Sequence, residues 1–168
     1  MRILAVGCHP DDVEIACSGT LAKCVKRGDK VIVCHTSSGD LGHVIIPPDK
    51  LKVMRAEEAK KAGALAGIEV IYGGFDDLDI FDNNRAARDK MVEVIRYADP
   101  DVIITHNPDD YMPDHTAVSR LVFDASVAAT LPNYPPKTDK PAKLGPLYYM
   151  DTLAGGNFVP GEFVDISD

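Results

Sequence analysis

The sequence predicts an α/β fold, a parallel sheet with helices on both faces. Two observations carry that prediction. Apolar runs of strand length alternate four times with segments whose apolar residues recur at helical spacing. The runs are apolar almost throughout, as in strands buried on both sides, and a parallel crossover needs a covering helix.

The elements follow in order. RILAVG (2–7) is the first strand. From Asp12, DVEIACSGTLAKCVKRG places Val13, Ala16, Cys17, Leu21, Cys24 and Val25 at helical spacing and stops at Gly28. KVIVCHTS (30–37) is a second buried strand, and SGDLGHVIIPPD (38–49), with two Gly and a Pro pair, is a loop. KLKVMRAEEAKKAGALAG (50–67) is a helix of good helix formers closed by Gly67. IEVIYGG (68–74) is a third strand, FDDLDIFDN (75–83) an acidic loop, and RAARDKMVEVIRYA (85–98) a third helix. PDVIITHN (100–107) is a fourth strand, PDDYMPD (108–114) a loop, and HTAVSRLVFDASVAAT (115–130) a fourth helix. The Pro-rich 131–146 segment is irregular, LYYMDT (147–152) is a fifth strand, and 154–168 is loop-like. Neither an internal repeat nor a low-complexity segment is present in the sequence.

Composition narrows the function. The 168 residues predict one domain over 1–168, with 45% hydrophobic residues and a net charge of -8. An acidic chain disfavours nucleic acid and anionic membranes as partners and suits a small-molecule substrate. No apolar run is long enough to span a bilayer, and MRILAVG is followed by no cleavage site, so the expected location is cytoplasmic. Cys8, Cys17, Cys24 and Cys34 form no C-x-x-C pair and are expected as buried thiols.

Ligands of such sheets sit at the carboxyl ends of strands. Two polar clusters fall there: HPDD (9–12) after the first strand and HNPDDYMPDH (106–115) after the fourth. Helix capping by Asp11 or Asp12, and by Asp114, explains one acid in each cluster. It leaves His9, His115 and the second acid of HPDD without a task. If the clusters meet, His9, His115 and one of Asp11 and Asp12 make two imidazoles and a carboxylate, a catalytic zinc set with a position left for water. The neighbouring carboxylate then stands as general base. A cysteine nucleophile is disfavoured, because Cys8 and His9 are strand neighbours that point to opposite faces. The G-x-S-x-G, Walker and G-x-G-x-x-G patterns are missing, which counts against a plain nucleotide-binding domain.

HPDDVE and PDDYMPDH, in this order and with these elements between them, resemble the LmbE-like, PIG-L family of metal-dependent de-N-acetylases. SGTLAKCVKRGDKVIVCHTSSGDLG and RAEEAKKAGALAG resemble its framework. The resemblance implies a Rossmann-like sheet and removal of acetyl groups from N-acetylglucosamine-type substrates. It implies Zn2+ (or Fe2+ or another divalent ion) on His9, Asp12 and His115, with Asp11 as general base and Asp114 orienting the site. Arg55 matches an Arg that contacts the substrate in relatives, and relatives are often homo-oligomers. Asp77, after the third strand, and His106, at the end of the fourth, lie at the same sheet edge and are the further candidates for substrate contact, with His106 or Tyr111 placed to stand in for a missing proton donor. Two departures stand out. Met112 occupies the place of a family His, and the chain stops where relatives continue into a further segment. The alternatives are an amidohydrolase acting on a non-sugar amide and a relative that binds metal or sugar without turnover. Specificity is expected in loops 39–50 and 131–146.

Overall fold

The apolar runs become strands because alternate residues find apolar cover on both sides of one sheet. The computed structural model describes residues 1–135, 140–156 and 158–167. The remainder of the 131–146 and 154–168 segments, residues 136–139, 157 and 168, lies outside the described residues. The elements are β1 (Arg2–Gly7), α1 (Asp12–Lys26), β2 (Lys30–Ser37), α2 (Pro48–Ala66), β3 (Glu69–Phe75), α3 (Arg85–Ala98), β4 (Val102–Thr105), α4 (Pro113–Ala128) and β5 (Leu147–Tyr149). The strands pair in parallel in the order β3-β2-β1-β4-β5.

The chain steps outward from β1 to β2 to β3, then returns across β1 to β4 and β5. With right-handed crossovers that reversal puts α1 and α2 on one face and α3 and α4 on the other. The core matches this layout. Leu4, Val6, Ile32 and Cys34 pack with Met91, Ile95, Leu121 and Val122 of α3 and α4. The intervening Ile3, Ala5, Val31 and Val33 pack with Val13, Cys17 and Leu21 of α1. The order also reverses between β1 and β4, and ligands of open parallel sheets bind in the crevice at such a switch point.

Helix starts depart from the expectations in two places, and β4 (Val102–Thr105) is shorter at each end than the expected 100–107. α2 begins at Pro48 and α4 at Pro113, each two residues early, because proline is preorganised for the first helical turn. Asp114 therefore lies inside the first turn of α4 and is not its N-cap. That position belongs to Met112, which makes no side-chain capping bond. Asp11 is the N-cap residue of α1, also without a side-chain capping bond. Among the described residues, no helix is long and apolar enough to cross a membrane.

Candidate active site

β1 ends at Gly7, where a side chain would strike Val13 Cγ2 at 2.8 Å and Asp12 Cβ at 3.2 Å. Glycine there lets α1 start directly against the strand end. The turn between them is closed by the Asp11 N–H on the His9 carbonyl at 2.9 Å. The Asp12 carboxylate, free of capping, folds back to accept the His9 N–H at 2.7 Å. β4 is stitched to the same place. Thr105 Oγ1 donates to the Val6 carbonyl at 3.0 Å, and the Cys8 N–H donates to His106 Nε2 at 2.9 Å. The first turn of α4 then delivers His115.

Three atoms converge. His9 Nδ1 is 3.4 Å from Asp12 Oδ2, His115 Nε2 is 3.4 Å from Asp12 Oδ2, and the two imidazole nitrogens are 3.3 Å apart. Tetrahedral bonds of about 2.0–2.1 Å from one zinc ion to N and O ligands hold those ligands about 3.3–3.4 Å from one another. The triangle therefore fits a single divalent ion.

The outer nitrogens are fixed by carboxylates. His9 Nε2 lies 2.8 Å from Asp114 Oδ2 and 3.0 Å from Asp77 Oδ1. His115 Nδ1 lies 3.2 Å from Asp110 Oδ1. The Asp77 contact is a hydrogen bond to His9 Nε2, whereas Asp114 and Asp110 act on the two rings as neighbouring negative charges. Electrostatics follow the same pattern. Burial alone would raise the Asp12 carboxyl, but the imidazoles of His106, His115 and His9 hold it far below the usual carboxylate range. Burial would lower His9, yet Asp114 and Asp12 push its imidazole well up, and Asp12 and Asp110 raise His115 against the same burial. Burial pushes the Cys8 thiol up to about 12, which leaves it protonated and a poor nucleophile.

The remaining candidates occupy different shells of the site. Asp11, half-exposed, pairs with Arg55 Nη2 at 3.0 Å, and Arg55 Nη1 donates to the Gly39 carbonyl at 3.0 Å. Both side chains line a cavity of about 670 Å³ that opens onto His9 and Asp12. Asp77 also lines it, but its second oxygen accepts the Leu41 N–H at 3.1 Å, so both its oxygens are engaged. His106 does not reach the cavity. It is 2% exposed and its ring stacks on His115 with centroids 3.9 Å apart. Asp110 had no role in the sequence reading. Its signal was there, because an Asp two residues before Met112 is placed to accept the Met112 N–H, as it does at 3.0 Å. His35, at the end of the second strand, is a core histidine. Buried, it donates from Nδ1 to the His9 carbonyl at 3.1 Å and meets Glu14 Oε1 at 3.3 Å.

Comparisons with known proteins give the family and the fold. Residues 4–126 match the family model described as PIG-L: GlcNAc-PI de-N-acetylase. A 1D-myo-inositol 2-acetamido-2-deoxy-alpha-D-glucopyranoside deacetylase of Nakamurella multipartita is 31% identical over 166 residues, covering 78% of this chain and 56% of that protein. The chain spans little more than half the length of the curated relatives it matches. Among solved structures, the conserved protein TT1542 of Thermus thermophilus gives a TM-score of 0.87 at 28% identity, over 99% of this chain and 72% of that one. An N,N'-diacetylchitobiose deacetylase of Pyrococcus horikoshii gives 0.86 at 23% identity, over 98% and 64%. A 4-carboxy-2-hydroxymuconate hydratase of Pseudomonas putida gives 0.83 at 24% identity, over 99% and 73%. At such identities the last two show the fold alone.

Proposed function

Because this chain belongs to the PIG-L family, we propose that it is a metal-dependent hydrolase that removes the acetyl group from an N-acetylated amino sugar of the N-acetylglucosamine type. The observation that carries the proposal is the triangle of His9, Asp12 and His115, with edges of 3.3–3.4 Å. Those three residues would hold the ion, zinc by preference, although two imidazoles and a carboxylate also suit Fe2+. Bound there, a divalent ion supplies Lewis-acid chemistry, acidifying a water molecule and polarising an amide carbonyl.

The chain's own residues supply the rest. Asp11 is the general base. Its carboxylate is aimed along the cavity wall by the Arg55 ion pair and faces the same space as His9 and Asp12. It takes the proton from the attacking water and returns it to the leaving amine nitrogen. Asp77, by a hydrogen bond, and Asp114 and Asp110, by their charge, favour the proton on the outer nitrogen of each histidine. Met112 lines the cavity but has no proton to give, and buried His106 cannot substitute for it. Tyr111, which does line the cavity, is the remaining protic group beside Met112. A cytoplasmic location belongs to the same reading, and the four free thiols support it. Met112 favours one second reading, a relative that binds ion and sugar without turnover.

The test is ion content and amine release, measured on untagged protein. Wild type should carry about one equivalent of zinc or iron, and His115→Ala should lose it. Asp11→Asn should keep the ion and lose at least about 100-fold in kcat/KM on an N-acetyl sugar. Full activity in Asp11→Asn removes Asp11 as the base. An ion bound with no amine released from any N-acetyl sugar selects the second reading.

A further inference from the structure

The cavity that opens onto the ion triangle is lined in part by aliphatic chains, among them Leu41, Leu51, Met54, Leu78, Met112 and Leu153. Four of them stand open to solvent, with exposures of 53% for Leu41, 44% for Met54, 62% for Leu78 and 37% for Leu153. Sugar hydroxyls find no hydrogen-bond partner on such side chains. Open apolar surface lining the same cavity as a reaction centre marks a place where a ligand's apolar part is covered.

Two independent observations point the same way. Leu78 has φ +58, in the left-handed region that a leucine enters only at an energetic cost. Asp77, the residue before it, is fastened to His9 Nε2 and to the Leu41 N–H. The strained backbone therefore holds an aliphatic chain next to a ligand histidine. The charge of the lining is the other observation. Asp11, Asp12, Glu58 and Asp77 face the cavity against Arg55, which is already engaged by Asp11 and the Gly39 carbonyl. Among the described lining residues, an anionic substituent finds no free lysine or arginine.

Resting on the deacetylase reading above, we propose that the substrate carries an uncharged aliphatic or aryl substituent beside its amide, and that the Leu41–Leu78–Leu153 wall binds it. The substituent comes either from the acyl group or from the aglycone. The chemistry is the same, so the experiment separates them.

Amine release is followed for N-acetylglucosamine, its hexyl glycoside, N-hexanoylglucosamine and N-acetylglucosamine 1-phosphate. Binding of each is measured in parallel by calorimetry on the Asp11→Asn protein with ion added. Each methylene that becomes buried should improve kcat/KM or Kd about fourfold. At least one hexyl probe should therefore exceed N-acetylglucosamine tenfold or more, and the phosphate should fall below it. The better of the two probes names the source. Leu78→Gly should fold as well as wild type, since glycine accepts φ +58, and should lose at least threefold of the hexyl preference. Hexyl probes no better than N-acetylglucosamine, with that sugar hydrolysed, would overturn this inference and leave the deacetylase reading standing. A hexyl preference unchanged in Leu78→Gly would overturn the assignment of the wall. No turnover of any amide, with tight binding of a hexyl probe, would sink the deacetylase reading and keep the apolar site.

Discussion

Asp110 shows how much of this site depends on groups that touch no substrate. His115 can present Nε2 to an ion only if its proton sits on Nδ1, and the Asp110 carboxylate, with Oδ1 3.2 Å away, is the charge that favours it there. The carboxylate is itself buried, so its charge acts through little screening water. Asp110→Asn should weaken ion affinity by about 10–100-fold, read by competition with a chelator, while circular dichroism stays unchanged. Unchanged affinity would mean that stacking on His106 alone orients the ring. The same substitution at Asp77 or Asp114 should cost less, because His9 Nε2 has two carboxylate partners and keeps one. That His9, His115 and one of Asp11 and Asp12 would meet was legible in the sequence, since both motifs follow strands that end at one sheet edge; the choice of Asp12 came from the family resemblance. The supporting carboxylates were harder to assign. HNPDDYMPDH offers three Asp, and which of them meets His115 depends on a turn whose geometry only the folded loop supplies. Asp77 comes from a different crossover altogether, 68 residues from His9.

Helix ends and helix faces divide their tasks in a related way. α3 has a conventional start, with Asn84 accepting the Ala86 N–H at 2.9 Å. α1 and α4, which border the site, have no side-chain cap, and their first-turn acids Asp12 and Asp114 turn to imidazoles instead. Capping is the common use of an acid at a helix start, so it was the natural sequence reading. It failed because the acids had stronger partners, brought in from the opposite motif by the pairing of β1 with β4. Helices and strands themselves were legible because burial on both faces leaves a continuous apolar signature. Their packing contacts were not. Gly63, inside α2, reads in sequence as a weak point that alanine should improve by about 1 kcal/mol. In the fold a Cβ at Gly63 would lie 2.4 Å from Val70 Cγ2 and 2.9 Å from the Ile68 carbonyl. Gly63→Ala is expected to lower unfolding stability by about 1–3 kcal/mol, because α2 must lift away from β3 to admit the methyl. Urea denaturation decides the sign, and a stabilised variant would show that α2 shifts freely.

For the molecule as a whole, the proposed ion site would be a cross-link at the point where strand order reverses. His9 leaves β1, Asp12 opens α1, and His115 comes from α4 beyond β4, so one ion joins segments 106 residues apart. An ion that binds only the folded chain adds stability as RT ln(1 + [L]/Kd), about 2.7 kcal/mol at 100 times Kd. For a domain of this size that is a rise of roughly 5–10 °C in Tm. The rise should depend on pH, and the sign follows from the histidines. In the ion-free fold the carboxylates raise the His9 and His115 pKa values. Their stabilising contribution is fully present below the unfolded value of about 6.5 and is lost as pH climbs through the raised folded values. Ion binding requires both rings neutral, so it strengthens as pH climbs, by up to two protons per ion. The two trends oppose each other. The difference in Tm between ion-loaded and ion-free protein should therefore widen from about pH 6 to about pH 8 and should vanish in His115→Ala. Differential scanning calorimetry at matched free-ion concentration measures it. A difference that is flat with pH would mean that the ion binds elsewhere than on these imidazoles, and one that persists in His115→Ala would remove α4 from the cross-link.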